Sequence, residues 1–165
     1  MFKKILMAAL IAIPAFGFAQ SKFGVVNSET IIKAMPEMAD AQKQLEEASQ
    51  KYQTEFNSFT EEFNKKYEEY QKLGADATPT IRERREKDLQ DLQMRMGEFR
   101  QTAEQDLQRQ QESLFAPIQQ KVQDAVNAVG KEGNFTFIFE QMIPVYAGAD
   151  VVDITNAVKA KLGIK

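Results

Sequence analysis

From Glu37 to Ala116 the chain keeps one helical rhythm of apolar and polar residues, interrupted once, by Gly74-Ala75-Asp76-Ala77-Thr78-Pro79. Before the interruption the apolar or small positions are Leu45, Ala48, Tyr52, Phe56, Phe59, Phe63, Tyr67, Tyr70 and Leu73. Their mean spacing is about 3.5 residues, the period of helices that pack along a seam. After it the same role falls to Ile81, Leu89, Leu92, Met96, Phe99, Ala103, Leu107 and Leu114. Pro79 suits the first turn of the second helix, with Thr78 as its cap. The pattern predicts a long antiparallel helical hairpin over 37–116, with its tip near 74–79. At ~1.5 Å per residue each arm reaches about 54 Å.

A turn centred between residues 76 and 77 sets an expected register. Met94 then faces Phe59, Tyr70 faces Glu83 and Tyr67 faces Glu86. The predicted seam is Leu45, Tyr52, Phe56, Phe59 and Phe63 against Leu89, Leu92, Met96, Phe99 and Leu107. Gly97 falls opposite Phe56, which suggests a notch for the ring, since a mid-helix glycine costs ~1 kcal/mol against alanine. Pro36 and Pro117 fall at the same height. As helix breakers they mark the base of the hairpin.

The two ends of the chain read differently. Phe23-Gly-Val-Val-Asn27 predicts a short strand, with Ser28 capping a brief helix through Ile31 and Ile32. Beyond Pro117 a separate amphipathic helix is expected through Val129, ended by Gly130 and Gly133. Phe135-Thr-Phe-Ile-Phe139 is the clearest strand, with Phe135, Phe137 and Phe139 on one face. Ile143 to Tyr146 reads as a second, edge-type strand because Pro144 cannot donate to a ladder. Asp153 is placed to cap a final helix through Leu162. The expected fold is mainly α, with a small β body built from 20–36 and 117–165 and a helical tentacle projecting from it. A body so small needs reinforcement, and strands joining between subunits would supply it.

Residues 1–19 form a separate unit. Lys3 and Lys4 precede an apolar run from Ile5 to Phe18, and Gly17 and Ala19 are small residues before Gln20. This is the pattern of a secretory signal cut after Ala19. The run is shorter than the ~20 apolar residues of a spanning helix. Removing this segment changes the net charge from −3 to −5, because it carries Lys3 and Lys4 and no acid. The mature chain is therefore read as exported, soluble and mildly acidic, which disfavours nucleic acid as a partner.

The chain holds no cysteine and no histidine. That removes disulfides, thiol nucleophiles, histidine bases and ordinary zinc sites, so no catalytic residue, metal or cofactor is expected. The pairs Glu46-Glu47, Glu61-Glu62 and Glu68-Glu69 read as a solvated helix face. Near the tip, Arg82, Arg84, Arg85 and Lys87 form a basic cluster interleaved with Glu83, Glu86 and Asp88. With Tyr67 and Tyr70, which face glutamates in the expected register, these residues are the candidate contacts for a client or for anionic lipid.

In this order, the strand, the hairpin entered through Pro36-Glu37, Pro117-Ile-Gln-Gln-Lys-Val122, Phe135 to Phe139 and Asp153-Ile-Thr155 resemble the Skp (OmpH-like) periplasmic chaperones. The resemblance covers essentially the whole mature chain. It implies a homotrimer, with Phe23, Val25, Val26, Phe135, Phe137, Ile138 and Phe139 in the trimer body and three hairpins around a cavity. It also implies ATP-independent holding of unfolded outer-membrane β-barrel proteins in the periplasm. One departure stands out: the best-known members are strongly basic, and this chain is not. The competing reading is an exported coiled-coil spacer or adaptor with one fixed partner.

Overall fold

The computed structural model describes residues 21–74 and 77–164; the expected signal segment lies outside them. Strand β1 spans Phe23–Val26, helix α1 Ser28–Ala34, α2 Pro36–Gln71 and α3 Pro79–Glu132. Strands β2 (Phe137–Glu140) and β3 (Val152–Asp153) and helix α4 (Thr155–Lys161) follow. The long helices begin where proline is best tolerated, with Pro36 and Pro79 in the first turn. Thr78 is the N-cap residue of α3, but its hydroxyl makes no capping bond. Its carbonyl instead accepts from the Ile81 and Arg82 amides.

Helix α2 is 36 residues long and α3 is 54. The second number corrects an expectation, because α3 continues through Pro117 to Glu132 and residues 118–129 belong to it instead of forming a separate helix. An internal proline costs ~3 kcal/mol through a lost hydrogen bond and a ring clash. The stripe on either side offsets it: Ile118, Val122 and Ala125 are all buried in one core, and Leu114 packs against that core. Each fully buried aliphatic side chain contributes about 1.5–3 kcal/mol.

That core joins the two ends of the chain. Val26, Ile31 and Met35 come from the start, Ala41 from the foot of α2, Ile118, Val122 and Ala125 from α3, and Ile154 and Val158 from the end. Ile31 and Val158 have no exposed surface at all. Above this level α2 and α3 pack on each other, and among the described residues no third layer covers them.

The sheet has the order β2-β1-β3, and both pairings are parallel. Ile143 to Tyr146 is not a strand; the third position is taken by Val152–Asp153. Phe135 also lies outside its expected strand. Its amide closes the end of α3 on the Gly130 carbonyl at 3.0 Å, and Asn134 before it takes a positive φ of 53°. The ring thereby turns towards the core, against Gly24 and Gly133. A Cβ on Gly133 would sit 2.4 Å from it. Lys22 closes the other side, with its ammonium 4.2 Å from the ring centre.

Caps follow local chemistry. Asn27, rather than Ser28, caps α1, its side-chain oxygen accepting from the Thr30 amide at 2.8 Å. Ser28 instead donates its hydroxyl to Glu140 across the sheet. Asp153 lies one residue before Ile154, the N-cap of α4, and accepts from the Thr155 amide at 2.8 Å; the Thr155 hydroxyl foremost, and then this amide, hold its carboxyl below the usual range. Gly163 takes φ 73° after α4, where the Ile164 amide reaches the Lys159 carbonyl.

Candidate functional site

Two surfaces stand out from this frame: the long arm, and the open face of the sheet. Side chains alternate across a strand, so Phe23 and Val25 share a face with their partners Phe137 and Phe139. The opposite face carries Val26 and Ile138 into the core. On the open face Phe23 stacks on Phe137 at 6.3 Å, and Phe137 on Phe139 at 5.9 Å. They remain 40 %, 58 % and 39 % exposed respectively. Parallel sheets are ordinarily covered on both faces, and among the described residues this one is covered on one.

The segment between β2 and β3 adds to that surface. Met142, Ile143, Val145 and Tyr146 are all largely exposed. Ile143, Pro144, Tyr146, Ala147 and Val151 border a cavity of about 360 Å³ whose floor is Phe23, Val25 and Phe139. The sequence reading placed Phe135 with the other two phenylalanines; the structure separates it from them. It also places Val26 and Ile138 on the core side. The surface it did not foresee is Met142 to Tyr146, where an apolar run with Pro144 was read as a strand.

In the arm, all ten predicted seam residues are at least partly buried, Leu89 and Leu92 most completely. The register differs from the expected one. Phe59 packs on Phe99 at 5.3 Å, and Arg95 lies over its ring. Met94, its expected partner, is 60 % exposed. Tyr52 also meets Phe99, edge to face at 6.0 Å. Nothing lies within 4 Å of where a Gly97 side chain would begin, so Gly97 is not a notch for Phe56. At the base Glu37 pairs with Lys121 at 2.8 Å, placing Lys121 rather than Pro117 beside the start of α2.

One polar node sits within the seam. Tyr52 donates to the Asp106 carboxylate, which also receives Arg109 at 2.9 Å and Gln110 at 2.8 Å. These donors, Tyr52 foremost, pull the Asp106 carboxyl down to about 2. The same bond pushes the Tyr52 phenol up, because ionising it would set two negative charges together.

At the tip, Tyr70 donates to Glu86, not Glu83, and its phenol is likewise raised. Tyr67 stacks on Phe63 at 6.2 Å and is 45 % exposed. The basic cluster divides. Arg82 donates to the Gly74 carbonyl at 2.7 Å, and Arg85 lies 3.5 Å from Glu69. Arg84 and Lys87 are exposed and make no ion pair among the described residues. No helix among the described residues is long and apolar enough to cross a membrane.

A family model described as "Outer membrane protein (OmpH-like)" matches residues 22–162. The chain belongs to this OmpH-like family. Among solved structures, a proposed outer membrane chaperone (OmpH-like) from Caulobacter crescentus CB15 is similar to this OmpH-like chain, with a TM-score of 0.74 at 13 % identity. The match covers 87 % of this chain and 85 % of that one. At that identity the likeness concerns the fold. No curated protein matches the chain. The resemblance drawn from the sequence and the fold, mainly helical with a small sheet, therefore both stand.

Proposed function

We propose that this protein is an ATP-independent periplasmic holdase, which keeps unfolded outer-membrane β-barrel proteins from aggregating on their way to the outer membrane. The observation that carries the reading is the two-helix arm itself. It is long, has no third packing layer among the described residues, and offers many shallow contacts instead of one deep pocket. Such a surface suits weak, sequence-tolerant binding of an unfolded chain. Family membership and the chaperone description of the similar Caulobacter protein support it.

The division into a body (residues 20–36 and 117–165) and an arm (37–116) belongs to the same proposal. In it three copies associate through the open sheet face and the Met142–Tyr146 segment. Their arms then surround a cavity. An uncovered face on a parallel sheet supports this, since a neighbouring copy would supply the missing layer. Release needs no nucleotide if the client gains more by folding in the membrane. Arg84 and Lys87 at the tip are the groups left for weak contact with anionic lipid.

The test is light scattering of a urea-denatured β-barrel protein diluted into buffer with and without the mature chain. Suppression at near-stoichiometric amounts is expected. Unchanged scattering refutes the holdase reading and leaves a fixed-partner adaptor.

A further inference from the structure

The arm is divided by charge along its length. Its shaft, residues 37–62 and 91–116, holds twelve Asp and Glu against five Lys and Arg, whereas residues 63–90 around the tip hold six against seven. Among the described residues only four of the twelve shaft carboxylates make an ion pair: Glu37, Glu47, Glu62 and Asp106. Much of the shaft's negative charge is left uncompensated.

A groove of about 560 Å³ runs between the two helices of that shaft, lined by Gln42, Leu45, Glu46, Ser49, Glu104, Leu107, Gln108 and Gln111. Leu45 and Leu107 give it an apolar floor. Glu46 and Glu104 stand on its walls, and no cation lines it. Neither carboxylate makes an ion pair among the described residues; the one side-chain bond of Glu46 is to Gln50, at 3.4 Å. The nearby Arg109 is already committed to Asp106.

We propose that this groove binds extended client segments in which lysine or arginine flanks apolar residues. The proposal rests on the holdase reading and specifies its substrate class. The leucine floor would take the apolar side chains and the two carboxylates the cations. Charge complementarity favours such an occupant over a second copy of the arm, whose shaft carries the same negative excess and would be repelled. The same repulsion holds neighbouring shafts apart and keeps the groove open to clients.

The experiment uses the mature full-length protein and two short fluorescein-labelled peptides with the same alternating valine and tyrosine core. One peptide ends in lysines and the other in glutamates. Fluorescence anisotropy should give a Kd about tenfold lower for the lysine peptide at ~20 mM salt. The difference should largely vanish at ~500 mM salt. Substituting Glu46→Gln together with Glu104→Gln should reduce the preference to about threefold, with the far-UV circular dichroism unchanged because both residues are exposed. Equal Kd values for the two peptides would overturn the charge preference while a positive aggregation assay still upheld the holdase. An undiminished preference in the double variant would overturn the groove. Binding of neither peptide by a chain that suppresses aggregation would overturn this proposal alone, whereas failure to suppress aggregation would overturn the holdase reading and with it the substrate class.

Discussion

Phe137→Asp should dissociate the proposed trimer. A phenylalanine side chain offers about 200 Å², and Phe137 leaves 58 % of its surface uncovered in the single chain. Covering that area against a neighbour removes about 120 Å² from water, or about 3 kcal/mol per copy at ~25 cal/mol per Å². Three copies lose about 9 kcal/mol, which lowers the trimer association constant by about six powers of ten. A carboxylate facing an apolar contact adds a desolvation penalty in the same direction. Sedimentation velocity at micromolar concentration should show a trimer for the wild-type chain and a monomer for the variant. Far-UV circular dichroism should change little, because Phe137 lies outside the buried cluster around Ile31 and Val158. A variant that remains trimeric, or a wild-type chain that is a stable monomer, would refute the assembly through this face.

Three further substitutions probe the fold. Ile31→Ala empties a fully buried site and should cost about 2–5 kcal/mol, read from the denaturant midpoint. Gly133→Ala places a methyl group 2.4 Å from the Phe135 ring and should cost about 1–3 kcal/mol in thermal melting; Phe135→Leu in the same chain should recover part of it. Tyr52→Phe removes the main donor to Asp106, so the carboxyl should titrate higher than about 2 yet below its ordinary 3.8, held by Arg109 and Gln110. Carbon-13 NMR of the carboxyl would record this. A depressed carboxyl stabilises above its unfolded pKa, so the wild-type advantage over Tyr52→Phe is complete above pH 3.8 and fades as the pH falls towards 2. An advantage that persists at pH 2 would contradict the role given to the bond.

The hairpin, its break and the first turn at Pro79 are legible because each rests on local chemistry: an apolar period near 3.5, a run of small and turn-forming residues, and a ring whose fixed φ suits a helix start; Pro36, expected as a breaker, opens α2 in the same way as Pro79 opens α3. The register is not, and the reason lies in that same period. Sliding one helix by about a turn brings each apolar position close to another, so Phe59 meets an apolar residue whether it faces Met94 or, five residues further on, Phe99. The match of Gly97 with Phe56 and of Pro36 with Pro117 depended on choosing one of these near-equivalent slides. Only contacts between unlike groups, such as Tyr52 with Asp106 or Glu37 with Lys121, separate them.

A related ambiguity explains two of the corrections in the body. A proline's local penalty favours a break at residue 117, but the continuous stripe of Leu114, Ile118, Val122 and Ala125 gains more from the shared core than one missing hydrogen bond costs. Phe135, Phe137 and Phe139 have strand alternation, yet the first belongs to the end of α3, because its amide is held by Gly130. That assignment turns Phe135 into the core and leaves Phe137 and Phe139 outside it. The sheet face that retains these two aromatic rings beside Phe23 has no helix laid over it among the described residues. In the trimer proposed above a neighbouring copy covers that face, which opens five residues after α3 ends at Glu132.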